Sequence, residues 1–226
     1  MQESIKQCLQ GLAPILPVIK VDTAEHILPI AEGLLAGGIG ALEITLRTEA
    51  GLEAIGLARK QFPELVICAG TVTQAQQVER LADVGIDFIV SPGITPALLA
   101  TAQAKSVPVV PGVASPSEVM LGLEYGLDHF KLFPAEVVGG MSMLKAMAGP
   151  FPDLRFCPTG GLTPSTFTDY LALNNVFCVG GTWMVKYTDG QPDGFQKQDF
   201  ENIATTENHR KLMKTITKPL NSIETH

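Results

Sequence analysis

The chain has little of several things that mark common classes of protein. Its 226 residues hold only four cysteines (Cys8, Cys68, Cys157, Cys178), none spaced as Cys-x-x-Cys, and four scattered histidines (His26, His129, His209, His226). That argues against a zinc framework, and no metal site is expected. A chain of this length buries about 70% of its unfolded surface, so it needs no disulfide or metal to hold together. Three of the cysteines fall inside apolar strand-like runs and read as plain buried thiols. Basic residues are also few: 16 against 23 acidic ones give a net charge of -7. A basic field is the footprint of nucleic-acid binding, so no nucleic-acid partner is expected, while a local site for a small anion stays open. No 18-residue stretch is apolar and uncharged throughout, so no membrane span or membrane partner is expected. The start, Met1-Gln-Glu-Ser-Ile-Lys6, lacks the basic-then-apolar pattern of a signal peptide, so the expected location is cytoplasmic. There is no Walker A pattern. Gly38-Ile-Gly40 precedes a strand-like run, whereas a dinucleotide loop must follow one.

What is present is a repeat of short β-rich runs. A mean hydropathy of +0.22 and 46% hydrophobic residues argue against disorder. The runs are Leu16–Val21, Ala41–Leu46, Val66–Ala69, Phe88–Ser91, Val107–Pro111, His129–Phe133, Arg155–Thr159 and Val176–Gly180. Helix-like stretches lie between them, including Ala24–Ala36, Thr48–Gln61, Gln74–Val84 and Pro96–Ala104. Alternating strand and helix implies a parallel sheet, and eight units at this length predict an α/β fold with a single closed (β/α)8 TIM barrel. An open doubly wound sheet is the alternative. Thr73, Thr95, Ser115 and Thr163 are expected helix N-caps, and Pro96, Pro116 and Pro164 fit first-turn positions. Gly38, Gly85 and Gly126 fit left-handed residues that end helices. Residues 186–226 carry no strand signal. They are read as an additional C-terminal helix and tail on one domain spanning 1–226.

The run Ala41-Leu-Glu-Ile-Thr-Leu-Arg47 is the most informative. Side chains alternate faces along a strand, so Leu42, Ile44 and Leu46 pack on helices while Glu43 and Arg47 point to the interior or its mouth. Burying an unpaired charge is costly, so these two need a partner or a purpose. An internal Glu43–Arg47 salt bridge is the plain alternative. In His129-Phe-Lys-Leu-Phe133 the same alternation turns Lys131 inward. Glu43 lies five positions after Gly38, and Lys131 five positions after Gly126. The second and sixth runs feed one layer of a barrel, so Glu43 and Lys131 are expected at one level, facing each other. A lysine amine enclosed in a mouth is, once deprotonated, a Schiff-base nucleophile. Glycine pairs at Gly160-Gly161 and Gly180-Gly181 leave backbone N–H groups for an anion at the place where such barrels bind phosphate.

Six segments together resemble one known family. They are Glu43-Ile-Thr-Leu-Arg-Thr48, Ala69-Gly-Thr-Val72, Ser91-Pro-Gly93, Phe130-Lys-Leu-Phe-Pro-Ala-Glu136, Arg155-Phe-Cys-Pro-Thr-Gly-Gly161 and Gly180-Gly-Thr-Trp183. They resemble the 2-keto-3-deoxy-6-phosphogluconate (KDPG) / 4-hydroxy-2-oxoglutarate (KHG) aldolases, in consistent order from about residue 11 to 185. The resemblance implies a class I, metal-free aldolase with no cofactor, cytoplasmic and homotrimeric, acting on a keto-acid sugar phosphate. It implies Lys131 as the Schiff-base lysine and Glu43 as the general acid/base. It places Arg47, Thr71, Pro92, Phe133 and Thr159 around the keto acid. It places Gly160, Gly161, Gly180, Gly181 and Thr182 at the phosphate. Thr182 stands where many members that prefer the phosphorylated substrate carry serine. The alternatives are a related 2-keto-3-deoxy-6-phosphogalactonate aldolase, a non-covalent sugar-phosphate epimerase or isomerase, and a catalytically silent phosphate-binding scaffold.

Overall fold

The computed structural model describes residues 2–10 and 14–185, with the backbone of 187–188 and 191–192. A first helix, α1 (Gln2–Leu9), precedes the strand-helix alternation: β1 (Ile15–Ile19), α2 (Ile27–Ala36), β2 (Ala41–Thr45), α3 (Ala50–Gln61), β3 (Val66–Gly70), α4 (Ala75–Ala82), β4 (Phe88–Val90) and α5 (Pro96–Ala104). The chain continues through β5 (Val109–Val110), β6 (Gly112–Val113), α6 (Pro116–Glu124), β7 (His129–Leu132), α7 (Gly140–Ala148), β8 (Arg155–Pro158), α8 (Phe167–Leu171) and β9 (Val179–Gly181).

The parallel pairing is as expected, but the closed (β/α)8 barrel is not what forms. Strands β1 to β9 make two sheets, one of six strands in the order β5-β4-β3-β2-β1-β9 and one of three in the order β6-β7-β8. Two prolines mark the breaks. Pro111 has no N–H to donate, and it separates β5, which pairs with β4, from β6, which pairs with β7. On the other side β8 and the last run meet only at isolated bridges, Phe156↔Val176 and Thr159↔Gly180. Four residue steps on one strand there face three on the other. A regular ladder cannot absorb that offset, and Pro158 lies within it without a donor.

Two apolar layers follow from side-chain alternation. Leu42 and Ile44 join the outer core between strands and helices. The inner core is smaller, formed by Ile5 of α1 with Leu16, Ala41, Cys68, Phe88, Val90, Val110, Cys157 and Cys178. The four cysteines are free thiols; Cys68, Cys157 and Cys178 are buried and Cys8 is half-buried.

Local punctuation agrees at Thr95 and Ser115, whose hydroxyls accept from Leu98 N–H and Glu118 N–H at 3.3 and 3.4 Å. It differs at two positions. Gln74, not Thr73, caps α4, with the Gln77 side chain folded back on the Gln74 N–H at 3.0 Å. The cap position of α8 is Thr166, because Thr163 begins a separate turn closed by the Thr166 hydroxyl. Gly38, Gly85 and Gly126 all have positive φ. The expected C-terminal helix within 186–226 lies outside the described residues. At the start of that span, where no strand was expected, the described backbone holds a short antiparallel pair, β10 (Tyr187–Thr188) with β11 (Gln191–Pro192).

Candidate active site

Glu43 and Lys131 come from different sheets, β2 and β7, and meet in the interior. The Lys131 Nζ lies 3.3 Å from Glu43 Oε2 and 3.4 Å from Oε1. Both side chains are enclosed, 5% and 1% exposed. The ion partner of Glu43 is therefore Lys131, and not Arg47 as the plain alternative had it. Lys131 Nζ also stands 5.2 Å from the centre of the half-buried Phe133 ring. Lys20, another lysine near a strand end, is exposed and paired with Asp22 at 2.7 Å.

Two glycines beside this pair allow close approaches, one of the Glu43 side chain and one of the Pro92–Gly93 backbone. Gly70 ends β3, and a β-carbon there would overlap Glu43, 2.6 Å from its carboxyl carbon. Gly112 is the register partner of Lys131. A β-carbon on Gly112 would run into the Pro92 carbonyl and lie 2.8 Å from the Gly93 nitrogen. Neither Gly70 nor Gly112 was among the expected site residues. Gly70 stands in the quoted Ala69-Gly-Thr segment, but its role depends on Glu43 leaning over it, which no local pattern reveals.

Arg47 follows the end of β2 and is exposed. Its Nε donates to the Thr71 hydroxyl at 3.1 Å. Thr71 itself takes a left-handed φ of +58°, a conformation uncommon for a threonine and a form of strain that gathers at functional sites. Pro92 is half-buried.

Thr159 follows β8 and is buried, its hydroxyl 3.4 Å from the Cys157 carbonyl. Gly180 lies against it: a β-carbon on Gly180 would be 3.1 Å from Thr159 Cγ2 and closer still to the hydroxyl. The two glycine pairs differ from each other. Gly160 and Gly161 form a turn with φ of +100° and +88°. Gly180 and Gly181 sit within β9, paired to Leu16 and Pro17 of β1, so they are strand residues and not a turn after the strand. A β-carbon on Gly181 would lie 2.6 Å from Trp183 Nε1. Thr182 is exposed just past the end of β9. The Thr159↔Gly180 bridge brings the two pairs side by side.

The thiols sit next to the charges. Cys68 is the register partner of Glu43, and Cys157 is that of Lys131. Burial pushes the Cys68 and Cys178 thiols well above their ordinary range. Cys157 is held lower by a hydrogen bond from Cys178, which outweighs burial, with the nearby Lys131 charge acting in the same direction.

A family model described as KDPG and KHG aldolase matches residues 5–205. The chain belongs to this aldolase family. It is 46% identical over 190 residues to the KHG/KDPG aldolase of Escherichia coli (strain K12), covering 84% of this chain and 87% of that one. The structure superposes with a TM-score of 0.82 on the 2-keto-3-deoxy-6-phosphogluconate aldolase of Zymomonas mobilis ZM4 solved with 3-phosphoglycerate. That match has 43% identity and covers 90% of this chain and 94% of the other. A KDPG aldolase from Legionella pneumophila, solved with pyruvate captured as a covalent carbinolamine intermediate, matches at a TM-score of 0.76. It is 41% identical, over 91% of this chain and 95% of its own. Like the rest of the family, the aldolase described here is a carbon–carbon lyase. Among its described residues no helix is long and apolar enough to cross a membrane.

Proposed function

We propose that this aldolase uses Lys131 as its Schiff-base nucleophile and Glu43 as its general acid/base. The substrate is 2-keto-3-deoxy-6-phosphogluconate, cleaved to pyruvate and glyceraldehyde 3-phosphate. 4-Hydroxy-2-oxoglutarate is a second substrate, cleaved to pyruvate and glyoxylate. The observation that carries the assignment is an enclosed amine 3.3 Å from an enclosed carboxylate, in a family for which one member holds pyruvate covalently.

The Lys131 amine adds to the C2 carbonyl, and loss of water from the carbinolamine leaves an iminium. Glu43 takes the proton of the C4 hydroxyl. The C3–C4 bond breaks, its electron pair moves into the iminium as an enamine, and the aldehyde departs. Glu43 returns its proton to C3, and water hydrolyses the resulting iminium to free pyruvate and the amine. One carboxylate serves both steps because the proton it accepts is the one it gives back. Arg47, steadied by Thr71, supplies positive charge for the keto-acid carboxylate, and Thr159, Pro92 and Phe133 line the reacting end. Gly160, Gly161, Gly180, Gly181 and the Thr182 hydroxyl form the phosphate end. In this reading residues 1–226 are one cytoplasmic aldolase domain that assembles as a homotrimer, which sedimentation at micromolar concentration tests separately.

The deciding experiment is incubation with pyruvate and borohydride followed by peptide mass mapping. A reduced pyruvyl adduct on Lys131 is expected. An adduct on Lys20, or none in an active preparation, overturns the assignment.

A further inference from the structure

The Gly160-Gly161 turn has no stiffness of its own. Glycine gives up more conformational freedom than any other residue when it is fixed, and here two follow one another. An anion site built from backbone N–H groups works best when those groups are already in place before the anion arrives. Something outside the turn must therefore hold it.

Glu136 does so through its backbone and its stem. Its N–H donates to the Gly160 carbonyl at 3.1 Å, and the N–H of Ala135 donates to the Thr159 carbonyl at 2.8 Å. The stem occupies the space a side chain on Gly161 would need: a β-carbon there would meet Glu136 Cγ at 2.5 Å and Cβ at 2.7 Å. The carboxylate is tied down in turn. The Tyr170 hydroxyl, on a ring only 1% exposed, donates to Glu136 Oε1. Both carboxylate oxygens stand 3.6 Å from where a β-carbon on Gly140 would be. That places the negative charge at the start of α7, where the helix dipole favours it. Gly140 also leaves room for the Tyr170 hydroxyl, which a side chain at that position would strike.

We propose that Glu136 and Tyr170 form a strut that positions the Gly160-Gly161 turn and so sets the affinity for the phosphate-bearing end of the substrate. Both are positioning residues: α8 carries the tyrosine, the tyrosine fixes the carboxylate, and the glutamate stem and N–H fix the turn. The proposal rests on the reading that the glycine turn binds phosphate.

The test uses Glu136→Ala, Glu136→Gln and Tyr170→Phe in the full chain. Four readouts are taken: pyruvate trapping at Lys131, kcat and KM for the phosphorylated substrate, the same for 4-hydroxy-2-oxoglutarate, and inhibition by inorganic phosphate. Glu136→Ala and Tyr170→Phe are expected to raise KM for the phosphorylated substrate, and to weaken inhibition by inorganic phosphate, by about 10- to 100-fold. Pyruvate trapping and cleavage of the unphosphorylated substrate stay unchanged. Glutamine keeps the stem and an acceptor for the tyrosine, so Glu136→Gln restores most of the affinity. Equal losses on both substrates, or wild-type KM in both variants, overturn the strut. So does a wild-type enzyme that traps pyruvate but is indifferent to inorganic phosphate. Failure of trapping in the wild-type protein is a different result and sinks the Schiff-base assignment instead. If Glu136→Ala does not fold, Tyr170→Phe keeps the ring and its packing and decides the question alone.

Discussion

Gly70 makes the seat of Glu43. The β-carbon that any other residue would add at Gly70 falls on the Glu43 side chain, 2.6 Å from its carboxyl carbon. Glu43 is 1% exposed, so its carboxylate is held inside the protein. Gly70→Ala should therefore push the carboxylate off Lys131. A loss in kcat of about 100-fold is expected from misplacing the acid/base group, with a destabilisation of about 1–3 kcal/mol from overpacking. Steady-state kinetics and thermal melting read the two effects. Wild-type kcat in a folded Gly70→Ala protein would show that the carboxylate works from elsewhere.

Glu43→Gln preserves the shape and one of the two oxygens that face Lys131, but it accepts no proton. Its kcat should fall by about 10²–10⁴-fold, while slow trapping of pyruvate on Lys131 remains detectable. An unchanged kcat would reduce Glu43 to a structural counter-ion.

The same pair makes a stability prediction. Lys131→Met leaves Glu43 buried without its ion partner, which should cost about 3–5 kcal/mol. Adding Glu43→Leu should recover most of that loss, since apolar replacements of buried ion pairs are often neutral or stabilising. Denaturant titration of the single and double variants distinguishes a pair kept for chemistry from one kept for folding. A double variant as unstable as the single would favour the second reading.

Thr182 is exposed beside the Gly180-Gly181 pair. If its hydroxyl donates to the phosphate, the bond is charge-assisted. Thr182→Val should then lower kcat/KM for the phosphorylated substrate by about 10- to 150-fold, and leave 4-hydroxy-2-oxoglutarate cleavage alone. An equal loss on both substrates would mean that Thr182 supports the local packing instead.

Tyr170 predicts a pH effect. Burial, then the bond to Glu136 and its charge, push the phenol well above its ordinary value. In the unfolded chain that proton leaves near pH ~10, whereas the folded protein keeps it. Stability carried by the phenol is thus complete below pH ~10 and declines as pH rises beyond it. Unfolding midpoints measured from pH 8 upward should fall less steeply in Tyr170→Phe than in the wild type. Parallel curves would show that the Glu136 bond is not held in solution.

Much of the site could be read from local sequence, because a strand's two-residue period needs no tertiary information. That period alone separates Leu42 and Ile44, which join the outer core, from Glu43, which does not. The equal offsets from Gly38 and Gly126 work for a similar reason. Both glycines end helices in the left-handed conformation, so counting from them gives equivalent heights in two parallel strands. Thr95 and Ser115 cap their helices because a hydroxyl beside a first-turn proline has one local task.

Tertiary structure decided the rest. Alternation turns Glu43 inward but cannot choose between Arg47 and Lys131 as its partner; that depends on how two sheets face each other. A proline is visible in the sequence, yet that the pairing divides at Pro111, and again beside Pro158, depends on which neighbour each strand meets. Gly70 and Gly112 look like ordinary turn or strand glycines until another chain segment is laid against them. Glu136 and Tyr170 are 34 residues apart, and no periodicity joins them. Side-chain direction is a local consequence of backbone geometry, whereas the space a side chain enters is made by residues distant in the chain.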